Sequence, residues 1–285
     1  MLFRSRNGND VHVIAPATSK DWGTFTEEHD GVKMTVHRLR SHRLIIHKTL
    51  RFVWPHTLKK KIDLILDGFE PDAIHSQSHL VMGRILAKSG KERGIKLIAT
   101  NHLMPENVLK YLHLPKFLER RVSKRLWKDS GLVLAKYDHV TTPTKRAAEL
   151  LENAAGIKNV LAISCGIDAT KFTNPTRTSN QPFRILFLGR LDWEKHIHNL
   201  LKAAATFPKE IDFYIEIAGE GNQKKYLGDL ASKLGIAERV KFLGHISEEE
   251  LPKAYERATV FAMPSIAELQ SIDRKSTCLN SSHAN

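Results

Sequence analysis

No stretch of this 285-residue chain nears the roughly 18 consecutive apolar residues that a membrane-spanning helix needs. The two cysteines cannot build a disulfide framework, and no Cys/His cluster has the spacing of a zinc site. No charged-then-apolar signal segment opens the chain, so secretion is not expected and the default location is the cytoplasm. Disorder is excluded by an apolar fraction of 41%, enough to fill one large domain or two of ordinary size.

Acid is also missing where it would balance base. Residues 1–150 hold 27 Lys+Arg against 15 Asp+Glu, whereas residues 151–285 hold 17 against 16. Between residues 31 and 62 there are nine Lys/Arg and no acid, with Ile45, Ile46, Phe52, Val53 and Trp54 interleaved. A second basic stretch follows at 116–128. Such a surface attracts anions: nucleic acid, anionic lipid or a phosphorylated ligand. A basic face that is merely solvated is the competing reading.

What is present alternates. Short runs rich in apolar or β-branched residues at 11–15, 32–36, 73–75, 96–100, 139–142 and 160–163 read as strands. Helical patterns at 58–69, 80–93, 117–135 and 144–152 lie among them, the last with Thr144 as N-cap. Residues 174–182 are polar and read as a linker. The pattern then restarts, with strands at 183–188, 211–218, 240–243 and 260–262 and helices at 195–207, 223–234 and 248–257. The expected fold is α/β: two doubly wound, Rossmann-like parallel domains, 6–173 and 183–272, with ligands held in a cleft at the carboxyl ends of the strands.

Chemistry concentrates after the strand FRILFL. Gly189 at its end lets a ligand approach the backbone. Arg190 and Lys195 bring two cations to a helix start, where amides and dipole already favour an anion. Arg supplies a bidentate fork and Lys a point charge, a pair suited to a diphosphate. Further on stand AGEG (218–221), FLG (242–244) and PSIAE (264–268). In this order GRLDWEK, AGEG, FLGH and PSIAE resemble the signature of the family 4 glycosyltransferases of GT-B fold. Ala99-Thr100-Asn101-His102 is similar to that family's strand-end T-x-H, and SCGID (164–168) with Phe172 to its N-G-[VI]-D-x-x-x-F segment.

The resemblance implies a retaining hexosyltransferase acting on a UDP- or GDP-linked nucleotide-sugar. No resident cofactor or metal is implied, because Arg190 and Lys195 carry the charge. They would hold and stabilise the leaving diphosphate. Glu268 would bind donor-sugar hydroxyls, His102 would reach the sugar near the reacting carbon, and Gly221 and Gly244 would admit the nucleotide. A turn with positive φ is the alternative reason for each of those glycines. Gln77, His79, Glu106 and Asn107 are cleft or acceptor candidates. The basic, aromatic 31–62 stretch resembles the membrane-docking surface of members that glycosylate lipids. It favours a lipid or lipid-linked acceptor, with a glycan as the alternative, and peripheral attachment to the inner face of the plasma membrane. Two other classes stay open: a GT-B nucleotide-sugar epimerase, and a basic nucleic-acid-binding protein, for which no recognition motif is present.

The departures are local. Ser276 stands where the family's second donor glutamate, eight residues after Glu268, is expected, and His196 replaces a usual glycine. The family's first strand and glycine loop are not found before Asn7. Leu2-Phe3-Arg4-Ser5 is what CTC-TTC-CGA-TCT encodes, and residues 273–283 are one base from another adapter-like string. Residues 1–5 and 273–285 are therefore expected to be scars flanking a truncated, weakly active or inactive segment.

Overall fold

The computed structural model describes residues 2–29, 31–44, 47–105, 109, 114–166 and 182–265. The chain divides into two compact units, with the boundary between Ile163 and Ser164.

The first unit begins with α1 (Leu2–Arg6), β1 (His12–Pro16), β2 (Gly23–His29), β3 (Val32–Leu39), β4 (His42–Leu44) and β5 (His47–Phe52). It continues through α2 (Pro55–Phe69), β6 (Ala73–Ser76), α3 (Val81–Glu92), β7 (Lys96–Thr100), α4 (Lys116–Leu134), β8 (His139–Thr142), α5 (Lys145–Ala155) and β9 (Leu161–Ala162). A four-stranded sheet runs β6-β7-β8-β9, parallel throughout. A second sheet runs β1-β3-β2, with β1 parallel and β2 antiparallel to β3. Leu58, Ile62 and Leu66 of α2 recur every fourth residue and are buried against Leu86, Leu97, Trp127 and Leu134. Each such side chain contributes about 1.5–3 kcal/mol. Thr144 caps α5, its hydroxyl accepting from the Ala147 amide at 3.2 Å.

Among the described residues, no strand pairs with the second edge of β1 or of β6. A cavity of about 290 Å³ separates them, lined by residues 12–15 on one side and 73–78 on the other.

The second unit holds β10 (Phe183–Leu188), α6 (Ile197–Ala204), β11 (Phe213–Ala218), α7 (Lys224–Lys233), β12 (Val240–Gly244), α8 (Glu250–Arg257) and β13 (Val260–Phe261). Its sheet, β12-β11-β10-β13, is parallel throughout. Ile185 and Phe187 of β10 and Ile215 and Ile217 of β11 meet Leu201 and Leu227 from the helices. Buried Glu216 is held by Arg184 at 3.0 Å and Arg257 at 2.8 Å.

Two expectations need correction. The sequence reading omits β2, β4 and β5, and these introduce antiparallel pairing into a unit expected to be parallel. The helix expected from residue 195 starts at Ile197; a 3₁₀ turn, Trp193–Lys195, precedes it. His196 separates the two in the left-handed region, φ 48° and ψ 34°.

Candidate functional site

In the second unit β12 ends in Gly244, and Gly189 and Gly219 follow β10 and β11 and extend the ladder beyond them. The Gly189 amide donates to Ala218 O at 3.0 Å, and the Gly219 amide to Gly244 O at 2.7 Å. Gly219 lies at φ 132°, and a Cβ there would stand 1.9 Å from Gly189 O, so only glycine fits. A Cβ at Gly221 would meet the Leu191 backbone at 2.5 Å; this glycine admits a neighbouring loop. Gly244 takes φ 69°, the positive-φ turn.

The loop after Gly189 carries both expected cations. Arg190 is 60% exposed and donates to Asp192 Oδ2 at 2.5 Å and Glu194 Oε1 at 3.0 Å, carboxylates that are themselves mostly covered. The Lys195 amide closes the 3₁₀ turn on Asp192 O at 3.0 Å. Ser265, from the PS motif, donates its hydroxyl to Glu194 O at 3.1 Å and so ties that motif to the loop. Asp192 and Glu194 as partners of Arg190 were not singled out from sequence. The spacing of Glu194, four residues on, was the available signal; Asp192, two residues on, carried none.

In the first unit a chain of polar groups crosses the carboxyl ends of β6, β7 and β8. His102 Nε2 lies 2.9 Å from Gln77 Oε1, and Gln77 Nε2 lies 3.1 Å from His75 Nε2. His75 Nε2 lies 2.6 Å from Thr100 Oγ1, which is 2.7 Å from Thr141 Oγ1. Burial pushes the pKa of His75 down to about 4, with a smaller contribution from the positive charge of Arg4. Burial also lowers that of His102. The fold thus joins His102 and Gln77, and adds His75, Thr100 and Thr141, which sequence reasoning did not give a role. Their shared position at strand ends was the usable sign.

His79 lies elsewhere. It is buried, its Nε2 2.9 Å from Ser130 Oγ on α4, with its own pKa lowered by burial. Glu106, Asn107 and Glu268 fall outside the described residues, as do Ile45, Ile46, the segment from Ile167 to Phe172 and most of the expected linker.

The acid-free stretch acquires acid from its neighbours. Arg38 forms a bidentate pair with Glu27 at 2.6 and 2.7 Å. Lys59 reaches Asp63 at 2.8 Å and Glu92 at 2.9 Å. Val53 enters the core while Trp54 stays half exposed. On α4 the base is less balanced: Lys116, Arg120, Arg121, Lys124, Arg125 and Lys128 are exposed and form no ion pair among the described residues. Phe117 and Leu118 are exposed beside them, and Trp127, Val133 and Leu134 are buried.

Comparison with known proteins bears on the family and the fold. The family model Glycosyltransferase Family 4 matches residues 5–171, and Glycosyl transferases group 1 matches residues 168–272. An alpha-monoglucosyldiacylglycerol synthase of Streptococcus pneumoniae is 26% identical over 222 residues, 73% of this chain and 50% of that protein. Sucrose-phosphate synthase from Thermosynechococcus elongatus superposes with a TM-score of 0.74 at 19% identity, covering 96% of this chain and 70% of that one. HepE of Anabaena, solved with UDP-glucose, gives a TM-score of 0.61 at 19% identity, over 86% of this chain and 65% of that one. The chain spans about half or less of the length of several curated relatives it matches. With one family model covering more than half of the sequence and the strand-end loops in matching order, the chain belongs to glycosyltransferase family 4, and its two α/β units are of the GT-B type.

Proposed function

We propose that this chain transfers a hexose from a UDP- or GDP-linked sugar to an acceptor hydroxyl with retention of anomeric configuration. The observation that carries the reading is the glycine-edged loop at the ends of β10–β12, which presents Arg190 beside the turn that ends in Lys195. The acceptor oxygen bonds to the anomeric carbon on the face from which the diphosphate leaves, and a diphosphate oxygen takes the acceptor proton. No carboxylate nucleophile is needed, so the rate comes from positioning and from charge stabilisation of the leaving group. Arg190 meets the diphosphate by exchanging Asp192 and Glu194 for phosphate oxygens, and Lys195 adds the second charge. With two cations there, transfer is proposed to need no divalent metal. Glu268 is assigned to the sugar hydroxyls, Gly189, Gly221 and Gly244 to the nucleotide side, and His102 to the transferred sugar. Gln77, Glu106 and Asn107 remain the acceptor-side assignments; His79, buried against Ser130, is withdrawn from them.

A lipid acceptor is supported by the relative named for a glucosylated diacylglycerol and by the basic, aromatic surface of α4. Work at the cytoplasmic face of a membrane follows from that acceptor. Ser276 in place of the family's second donor glutamate makes transfer by this sequence weak.

Arg190→Ala or Lys195→Ala should cost on the order of 2–4 kcal/mol of transition-state stabilisation, roughly 10²–10³ in kcat. Calorimetric affinity for UDP and GDP should fall with it. Kinetics and nucleotide affinity within threefold of wild type for both variants would overturn the assignment.

A further inference from the structure

The polar chain at the ends of β6, β7 and β8 has a direction, and the direction follows from the chemistry of Gln77. A side-chain carbonyl only accepts, so the 2.9 Å contact between Gln77 Oε1 and His102 requires the proton on His102 Nε2. A side-chain amide nitrogen only donates, so the 3.1 Å contact with His75 requires an unprotonated Nε2 there. That nitrogen also receives the Thr100 hydroxyl at 2.6 Å, and Thr141 lies behind Thr100 at 2.7 Å. A neutral His75 with its proton on Nδ1 fits this pattern, whereas a proton on Nε2, in the neutral or the charged ring, would turn the Gln77 amide over. His102 is exposed, and its Nδ1 has no hydrogen-bond partner among the described residues.

We propose that Gln77 is a positioning residue that holds His102 as the Nε2–H tautomer, so that Nδ1 faces outward as an acceptor for a sugar hydroxyl. His75, Thr100 and Thr141 act behind it, keeping the amide in one orientation. Under this assignment Gln77 serves through His102 and need not touch the sugar itself. The consequence for the sugar rests on the proposed function; the tautomer does not.

The two are separated by reading the tautomer in the ligand-free chain. Long-range ¹H–¹⁵N correlation of the His102 ring near neutral pH should give the Nε2–H pattern, and Gln77→Leu should convert it to a mixture of tautomers. Gln77→Glu keeps an acceptor in place, so its neutral ring, read well above the His102 pKa, should preserve the Nε2–H pattern. Its carboxylate should raise the His102 pKa by about one pH unit or more relative to wild type. Nδ1–H or mixed tautomers in the wild type would overturn the proposal. So would an unchanged pattern in folded Gln77→Leu, or no pKa rise in Gln77→Glu, which covers the case where the leucine variant fails to fold. If the tautomer behaves as expected but Gln77→Leu leaves kcat and KM for a nucleotide-sugar unchanged, the link between His102 and the sugar fails while the positioning role stands.

Discussion

His196 pays for the shape of the loop it ends. An L-residue in the left-handed region costs roughly 1–2 kcal/mol relative to glycine, and glycine returns roughly 0.5–1 kcal/mol of that through unfolded-chain entropy. His196→Gly should therefore stabilise the fold by about 0.5–1 kcal/mol and raise Tm by about 1–3 °C. A lower Tm in calorimetry would mean that the packing of the His196 ring against His198, with centroids 5.1 Å apart, outweighs the strain. His75 makes a second residue-scale prediction. Its folded pKa of about 4 lies below the ordinary value of 6.5, so between these two values the unfolded chain binds a proton that the folded chain refuses. Its contribution to stability is complete above about pH 6.5 and is lost as pH falls toward 4. Urea unfolding midpoints measured across that window should drop more steeply for wild type than for His75→Asn; equal slopes would refute the buried, neutral assignment.

At the scale of elements, α4 combines a buried apolar stripe with a basic outer face, and it carries Phe117 and Leu118 at its exposed start. Each Lys or Arg near an anionic leaflet is worth about 1 kcal/mol, within a Debye length of about 8 Å at physiological salt. Co-sedimentation should show binding to phosphatidylserine-containing vesicles that weakens with salt, and none to neutral vesicles. Replacing Arg120, Arg121, Lys124 and Arg125 with Gln should remove it. Equal binding to neutral vesicles, or none to either, takes away the main support for a lipid acceptor. Elements also differ in how plainly they can be read. The runs 96–100 and 183–188 match β7 and β10 to the residue, because strands of a covered parallel sheet are nearly continuous in apolar side chains; 139–142 also matches β8, through the β-branched Val140, Thr141 and Thr142. Gly23–His29 escapes notice because Phe25 is its only large apolar residue and its faces are largely wet. What makes it a strand is seven residues of pairing with β3, a long-range fact absent from its own composition.

Across the whole molecule, the two α/β halves and the cation loop were legible because each rests on local sequence: apolar runs, glycines at strand ends, charges at a helix start. The polar chain from His102 to Thr141 was not, since its members come from three strands and meet only through register, with Thr100 opposite Thr141. Nor was the fate of the basic stretch, whose carboxylate partners Glu27, Asp63 and Glu92 all lie outside it. The cavity between β1 and β6 belongs to the same scale. Among the described residues nothing pairs with the facing edges of these two strands, whose amides and carbonyls are open to an extended chain, and the walls between them include Ile14, Ile74, Met82 and Leu86. Such an edge is a template for another molecule's backbone. The ligand-free chain should therefore self-associate through β pairing. Light scattering should show mass rising with concentration, together with an infrared band for intermolecular sheet, and a chain that stays monomeric at high concentration without that band would show the slot to be closed. An edge that recruits backbone by shape alone makes no distinction between a helpful partner and a copy of itself, so the same opening sets an upper limit on how concentrated this chain can be kept.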